Sequence, residues 1–223
     1  MQPAIEFGLL QRCDGSCKAT LGGTIAVCGV FGPVEARNPA PSDAAEGCVV
    51  EVQLRSYTAE TSVSADQSAS LLLRDVLAPC VHSKLFPRTI ISLSVRVLAD
   101  DGCAFSAAAL AAVGALVDAG VPLLSLPVAV DCAVARNGNV LVFASRAARK
   151  QAKTSVSLCF AGGGETAHAA EPSLIDTRGM CSESMLGECV IAGHTASLAL
   201  RQSLVAQIVA KWNGNLDLII GGG

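Results

Sequence analysis

Short apolar or β-branched runs recur along the chain, and the run at 49–54 alternates with the two-residue period that is typical of a half-buried strand. Short runs of this kind, bounded by glycine, proline or polar turns, predict strands over residues 5–10, 24–31, 49–54, 89–98 and 153–160. Residues 128–135 and 140–144 predict a hairpin around a turn at 136–139. Turn-forming residues predict a loop at 38–47 and a glycine turn at 162–164.

The first segment with a helical period covers residues 66–86. Leu72, Val76 and Cys80 share one face of it, as a period of 3.6 residues requires. Pro79 has no amide proton and its ring opposes a continuing helix, so it is expected to kink or split this segment.

Two later segments also have the helical period. Residues 105–117 predict an apolar helix that stops at Gly120, with Pro122 just beyond it. Residues 183–212 predict a long helix that Ser182 can cap. The core-facing stripe of this helix consists of Leu186, Val190, Gly193, Ala196, Leu200, Leu204 and Ile208.

The order of these elements predicts an α+β fold in which mixed β-sheets pack against helices. No linker and no repeat of fixed period divides the chain, so we expect one domain over 1–223, with an ordered core at about 5–212. Residues 213–223 form a C-terminal tail, and its final glycines at 221–223 are expected to be disordered. A hydrophobic fraction of 51% with only 16% charged residues excludes an intrinsically disordered chain.

Charge and apolar content narrow the class of partner. Nineteen acidic and sixteen basic residues give a net charge of −3, so any nucleic-acid partner would have to meet a local basic patch. Aromatic residues make up 4% of the chain, which argues against a stacking platform for single strands. Low charge with high apolar content indicates that partner chains cover part of the surface.

The compartment follows from the N-terminus and the cysteines. No basic start precedes an apolar run, so no secretory signal is predicted, and the uncharged stretch between Asp101 and Asp118 is expected to be a buried helix, not a membrane span. The ten cysteines include no C-x-x-C pair and several lie in apolar runs. Buried free thiols in a reducing, intracellular compartment are expected, with disulfides or a zinc site as the alternatives.

Known catalytic motifs do not occur: there is no P-loop, no dinucleotide fingerprint and no G-x-S-x-G, and the three histidines are scattered. The turn at 100–103 precedes a helix whose exposed amides could hold an anion, and Arg88 precedes the strand that leads to it. The alternative is an ordinary strand–helix turn whose acids cap the helix, with Arg88 as a surface charge.

A basic cluster follows the hairpin and contains no acid. If the segment is helical, Arg146, Arg149 or Lys150, and Lys153 share one face, which suits contact with a phosphate backbone. The alternatives are a solvated charged face and a salt-bridging interface to another protein.

Several short motifs occur in a characteristic order. They are R-x-D-G-S at 12–16, G-G-T-I-A-V at 22–27, G-x-x-G-P-x-E at 29–35, L-F-P-R-T-x-I at 85–91, D-G at 101–102 and L-x-D-A-G-V-P at 116–122. In this order and spacing, the chain resembles the ribonuclease PH family over residues 5–212. The form of the first motif is similar to that of ring subunits of the eukaryotic RNA exosome.

The resemblance implies the ribosomal-protein-S5-domain-2-like fold. It also allows the residues of this chain to be compared with those that the enzymes of the family use. Active members of the family degrade RNA from its 3′ end, when inorganic phosphate attacks the terminal phosphodiester and releases a nucleoside diphosphate. By the same resemblance, Arg88 helps to hold phosphate. The family's Gly-Ser/Thr-Arg turn is matched here by residues 102–104, where Cys103 and Ala104 supply neither the hydroxyl nor the guanidinium.

The acidic residues that family enzymes use for metal binding and catalysis also lack matches. No Asp or Glu occurs in 132–164, and Lys153 stands about where the better-placed acid would be. The arginines that family enzymes carry before the first helix are absent from 58–70. We therefore expect no catalytic residue, no metal site and no cofactor, and a pocket in which cations have replaced carboxylates.

The resemblance implies a non-catalytic subunit of the RNA exosome. We expect a hetero-hexameric ring with other RNase PH-like subunits, cap subunits, bound RNA and no membrane contact, acting in rRNA maturation and RNA turnover in nucleus, nucleolus and cytoplasm. The candidate RNA or phosphate contacts are Arg88, Arg146, Arg149, Lys150 and Lys153. Two alternatives stay open: a homo-oligomeric, phosphate-dependent 3′–5′ exoribonuclease that uses Arg88 with Asp100 and Asp101, and a scaffold without RNA contact.

Overall fold

The computed structural model describes residues 3–35, 47–57, 62–161 and 171–220, with side chains described as far as Asn213. The elements in chain order are β1 (Ala4–Phe7), β2 (Gly15–Leu21), β3 (Thr24–Glu35), β4 (Val49–Ser56), α1 (Val63–Leu77), β5 (Thr89–Ala99), α2 (Ala104–Asp118), β6 (Val128–Val134), β7 (Val140–Val142), α3 (Arg146–Gln151), β8 (Thr154–Phe160), β9 (Leu174–Gly179) and α4 (Glu183–Ile220). Nearly all of the predicted loop at 38–47, the turn at 162–164 and the terminal glycines lie outside the described residues.

These strands form two sheets. The first has the order β1-β2-β3-β5-β4, in which β4 runs parallel to β5 and all other neighbours are antiparallel. The second has the order β7-β6-β8-β9 and is antiparallel throughout. The pairing of β6 with β7 confirms the predicted hairpin, and the two sheets with their helices confirm the α+β fold.

Helix α2 forms the centre of the core. Its residues from Ser106 to Leu116 are all buried, and most of them are alanine. Small side chains let the helix approach the first sheet closely: a Cβ on Gly114 would lie only 2.4 Å from the Cys17 sulfur on β2. The 105–117 prediction is thus confirmed, and the uncharged stretch is a buried helix.

Motif residues near the ends of these elements hold the fold together. The Asp118 carboxylate accepts a hydrogen bond from the Ser16 amide at 2.8 Å and pairs with Lys211 on α4. The Asp14 carboxylate accepts one from the Gly32 amide at 2.7 Å. These acids satisfy backbone donors that strand pairing leaves over, so their role is structural.

Two helices have different ends from those predicted. Helix α1 ends at Leu77 and not at 86, because Pro79 cannot continue the hydrogen-bond ladder and lies instead in a 3₁₀ turn at Ala78–Cys80. Helix α4 is capped by the Ser182 hydroxyl as predicted, but it continues past 212 to Ile220. The predicted elements included neither β9 nor a separate β2.

The cysteines behave as expected from the sequence. All ten are free, and seven of them are buried. Among the described residues, the helices are either too short or too polar to cross a membrane.

Candidate functional site

A cavity of about 350 Å³ opens between the two sheets, where β5 passes into α2 and where α3 begins. Its charged lining residues come from several elements. They are the acids Asp66, Asp100, Asp131 and Asp176 and the bases Arg146, Arg149, Lys150 and Arg178. Acids and bases are therefore equal in number around this cavity.

The turn between β5 and α2 forms one wall of the cavity. Gly102 has a φ of +104°, which side-chain-bearing residues rarely adopt. A Cβ at this position would lie 2.4 Å from the Ala144 carbonyl oxygen and 2.9 Å from the Arg146 nitrogen. The segment that leads into α3 therefore lies directly on the turn, and only glycine allows this contact.

A buried carboxylate forms the floor of the cavity. Asp131 on β6 is 1% exposed. One of its oxygens accepts hydrogen bonds from the Ser106 amide at 3.0 Å and the Ser106 hydroxyl at 2.9 Å. The other oxygen accepts one from the Ser157 hydroxyl at 2.5 Å. These donors compensate for the burial of the carboxylate.

Arg149 completes this floor. One guanidinium nitrogen, Nη1, donates to the Gly102 carbonyl and lies 3.8 Å from an Asp131 carboxylate oxygen. The Arg149 head group thus joins the turn before α2 to the buried acid. This cation, predicted as an RNA contact, is directed into the protein and not toward the opening.

The first turn of α2 is not the open anion cradle that the sequence suggested. The Gly102 amide donates to the Asp100 carboxylate at 2.7 Å, and the Ser106 amide donates to Asp131. The alternative interpretation, in which the acids of the turn cap this helix, is met only in part. Asp100 accepts from the Gly102 amide ahead of the helix, and the acid that accepts from the helix amide of Ser106 is Asp131 on β6. Cys103 stands where the turn of family enzymes has its hydroxyl. The Cys103 sulfur lies 4.0 Å from the Ala144 carbonyl oxygen.

Burial also makes the thiols near this floor unreactive. Desolvation, together with the nearby Asp131 carboxylate, raises the pKa of Cys103 to about 12. Desolvation likewise raises the pKa of Cys132 to about 12. Neither thiol is therefore suited to act as a nucleophile.

The rim of the cavity carries the other cations. Ser145 caps helix α3, since its hydroxyl accepts from the Ala148 amide at 3.4 Å, and Arg146 and exposed Lys150 of this helix line the cavity. Arg178 on β9 faces them and pairs with Asp176 at 3.4 Å (Nε to Oδ2). The sequence analysis did not single out Arg178, because its strand had not been predicted.

Two predicted contacts lie elsewhere. Arg88 is exposed at the start of β5, and the eleven-residue strand separates it from Asp100 by roughly 35 Å, so the expected grouping of Arg88 with Asp100 and Asp101 is wrong. Lys153 does not share a face with Arg146 and Arg149. The chain is extended from residue 152, and the Lys153 amide joins the sheet by donating to the Val134 carbonyl at 2.8 Å.

The expectation that cations had replaced the pocket's carboxylates is also wrong. The stretch 132–164 has no acid, but four acids reach the cavity from other elements. Asp66 on α1 accepts from the Ser56 amide at 3.1 Å, while its other oxygen is buried without a hydrogen-bond partner. Within the described part of the chain, no group of three or more His, Cys, Asp or Glu side chains could hold a metal ion.

Comparison with known proteins identifies the family. Residues 2–122 match the model of the 3′ exoribonuclease family, domain 1, also called RNase PH. The chain is 28% identical over 199 residues to a rice (Oryza sativa subsp. japonica) protein named exosome complex exonuclease RRP46 homolog, which covers 84% of this chain and 82% of the relative.

Solved structures show the same fold. The crystal structure of rice Rrp46 superposes with a TM-score of 0.82 at 25% identity and covers 92% of this chain and 93% of that one. An archaeal exosome core chain superposes with a TM-score of 0.76 at 21% identity and covers 91% of this chain and 86% of that chain.

Proposed function

Because the chain belongs to the RNase PH family of 3′ exoribonucleases, we propose that it is a non-catalytic subunit of an exosome-type ring, in which it helps to guide RNA. Its partners are other RNase PH-like chains of a hetero-hexameric ring, with cap subunits and RNA. Its relative in rice is named as an exosome protein, and the crystal structure of rice Rrp46 superposes on 92% of this chain with a TM-score of 0.82. Its place of action is the nucleus and nucleolus, and also the cytoplasm.

The division of the cavity into a self-satisfied floor and a basic rim carries this proposal. Asp131, Ser106 and Arg149 are bound to one another or to the adjacent turn. Arg146 and Lys150 line the same cavity from α3, and Lys150 is exposed, so a phosphate backbone can approach this side of the cavity. Phosphate contacts of this kind hold RNA without reading its sequence.

The proposal that the chain is non-catalytic is supported by the internal hydrogen bonds of the groups that could otherwise bind an anion. Phosphorolysis needs donors that are free to bind phosphate and the charge that develops on it. Here the Ser106 amide and hydroxyl donate to Asp131, and the Gly102 amide donates to Asp100. The Arg149 guanidinium donates to the Gly102 carbonyl. An incoming phosphate would have to displace these internal partners.

RNA crosslinking in the assembled ring tests the binding role. The variant Arg146→Glu/Lys150→Glu should lower crosslinking to this subunit at least about tenfold, because it replaces two rim cations by anions. The matched control Arg88→Glu/Lys153→Glu makes the same charge change at two exposed cations that do not line the cavity. It should change crosslinking less than twofold.

Equal losses in both variants would show that RNA does not contact this cavity specifically. No loss in either would support the scaffold without RNA contact. Purification of the chain from its cells with its stoichiometric partners tests ring membership separately, since self-pairing alone would contradict the hetero-hexameric ring.

One observation favours the alternative of an active phosphate-dependent exoribonuclease. Four carboxylates line the cavity, and one Asp66 oxygen is buried without a hydrogen-bond partner, as a group awaiting a cation would be. In that case the purified chain should release nucleoside diphosphates from 3′-tailed RNA with phosphate and Mg²⁺. Asp66→Asn should abolish the release, since it removes the charge that would bind the ion.

A further inference from the structure

The first sheet has an outer face, turned away from α1 and α2, and a row of mostly charged side chains crosses it. The strand register aligns one residue from each of the five strands in this row: Glu6, Lys18, Val27, Arg96 and Arg55. Next to the two arginines along their strands, Leu54, Val95 and Val97 are buried in the core. Because successive side chains of a strand point to opposite faces, Arg55 and Arg96 project outward side by side.

This outer face is not the side of the sheet that forms the cavity. Leu54, Ser56 and Val97 line the cavity, and they alternate with Arg55 and Arg96 along β4 and β5. A ligand bound by the two arginines would therefore be separated from the cavity by the sheet itself. Binding here is independent of the RNA contact that we propose for the cavity rim.

The lysine of the row has a partner, whereas the two arginines lack one. Lys18 Nζ pairs with a Glu6 carboxylate oxygen at 3.0 Å. Within the described part of the chain, Arg55 and Arg96 form no ion pair, and Arg96 Nη1 is buried without a hydrogen-bond partner. Like charges on neighbouring strands repel each other, and a buried donor without an acceptor costs free energy. An anion between the two guanidinium groups would remove both costs.

The surroundings of the arginine pair are polar and carry little negative charge. Gln53 and Ser94 form the adjacent register pair on the same face, and both have groups that can donate to an anion. Glu51 lies on this face of β4, but four residues from Arg55, which is roughly 13 Å along a strand. Since Lys18 already neutralises Glu6, the local charge around the pair is positive.

We propose that Arg55 and Arg96 bind a doubly charged phosphate group, which is either inorganic phosphate or the terminal phosphate of a nucleotide or RNA chain. Neighbouring strands lie about 4.8 Å apart, so both guanidinium groups can reach one phosphate. The planar fork of N–H donors on each arginine fits phosphate oxygens. A terminal phosphate carries about −1.5 to −2 charges at pH 7, which matches two cations, whereas a carboxylate or a backbone phosphodiester carries one.

Isothermal titration calorimetry of the purified chain in a phosphate-free buffer tests this site. The probes are inorganic phosphate and an RNA trinucleotide with either a 5′-phosphate or a 5′-hydroxyl. Both phosphate-bearing probes should bind with a Kd below about 1 mM, and the 5′-hydroxyl RNA should bind at least about tenfold more weakly. Equal affinity for the first two supports free phosphate as the ligand, and tighter binding of the phosphorylated RNA supports an RNA end.

A pair of variants separates the site from general charge effects. Arg96→Met removes the guanidinium but keeps a long side chain, and should weaken phosphate binding at least about tenfold. Its melting temperature should not fall, because the arginine has no internal partner to lose. The control Arg136→Met removes an exposed arginine from the turn between β6 and β7 and should change the Kd less than about twofold.

Three results would overturn the proposal. The first is no binding of inorganic phosphate at about 10 mM, and the second is equal Kd values for Arg96→Met and Arg136→Met. The third is a melting temperature that falls by more than about 3 °C in Arg96→Met, since the arginine would then support the fold.

The variant Arg146→Glu/Lys150→Glu distinguishes this site from the cavity. It should leave phosphate binding unchanged, because both substitutions lie on the other side of the sheet. Loss of phosphate binding in this variant would place the phosphate in the cavity and contradict the proposal. Unchanged phosphate binding together with unchanged RNA crosslinking would support the phosphate site and contradict only the role proposed for the cavity rim.

Discussion

The floor and the rim of the cavity contain the same kinds of charged side chain in very different settings. On the floor, Asp131 and Arg149 are bound by neighbouring protein groups, and the acid is almost completely buried. On the rim, Arg146, Lys150 and Arg178 lie at the opening. The floor therefore contributes to the stability of the fold, and the rim is the part that can meet RNA.

The difference shows that residue type alone does not assign a role within one site. Arg146 and Arg149 are three residues apart on the same short helix. The first has its amide 3.3 Å from an Asp101 oxygen and lines the opening, whereas the second is held between Gly102 and Asp131. The direction of the Arg149 guanidinium, toward Gly102 and Asp131, is what gives this arginine a role in the fold.

The strongest challenge to this division is Asp131→Ala. It leaves three donors and the Arg149 charge without their acceptor, so we expect a loss of about 3–5 kcal/mol in the free energy of unfolding, measured with urea. The control Asp176→Ala removes an acid of the same cavity whose partner Arg178 is exposed, and should cost less than about 1 kcal/mol. Equal losses would contradict the separation of floor from rim.

Thiol labelling measures how far solvent is excluded from the floor of the cavity. A pKa of about 12 for Cys103, against an ordinary value of 9.0, lowers its thiolate fraction about 1,000-fold at pH 8. Half-exposed Cys13 should therefore react with iodoacetamide far faster, as followed by mass spectrometry. Because the folded thiol keeps its proton, its contribution to stability is complete below pH 9 and is lost between about pH 9 and 12. Comparable labelling rates would refute a dry floor.

The contribution to stability of the close contact between the turn at Gly102 and the segment leading into α3 can be measured separately from the effect of backbone strain. Gly102→Ala adds a Cβ at a positive φ and 2.4 Å from the Ala144 oxygen, so we expect a loss of about 2–3 kcal/mol. Gly138→Ala adds one at a φ of +89° with nothing within 4 Å, and should cost about 1 kcal/mol. Thermal unfolding compares the two, and equal shifts would mean that the contact contributes nothing.

The smallest expected effect concerns the salt dependence of RNA binding. Arg146→Gln/Lys150→Gln should reduce the slope of log K against log salt by about 1.4, if each cation contacts one phosphate of single-stranded RNA. Arg149→Gln should lower stability and leave the slope unchanged, because its charge is directed into the protein. A reduced slope for Arg149→Gln would show that the Arg149 side chain contacts RNA, as the residues of the rim are expected to do.

Much of the fold could be predicted from the chain itself. Strong periodicity identified β5, α2 and the hairpin of β6 and β7, where local pattern and tertiary packing agree. Strand β9 was missed because Leu174 and Ile175 are followed by mostly polar residues at the edge of a sheet. The end of α1 depended on which of two outcomes, kink or end, Pro79 would produce.

The site could be predicted only in part. The basic cluster and the turn at Gly102 were found in sequence, and the structure brings them together. Asp100 was noted in the turn, but Asp66, Asp131 and Asp176 were missed, because they come from distant elements and only topology unites them. Asp131 did carry a signal: a single acid inside the apolar run of β6 has to be buried with partners. Arg88 was misplaced because sequence proximity to a strand does not indicate which end of it bears the site.

The account is tested most directly by incubating the purified chain with 5′-labelled, 3′-tailed RNA, phosphate and Mg²⁺ while filter binding is recorded in parallel. The expected result is RNA that is retained by the protein and keeps its full length throughout, because the floor's donors are already occupied. Progressive shortening with release of nucleoside diphosphates, abolished by Asp66→Asn, would contradict it.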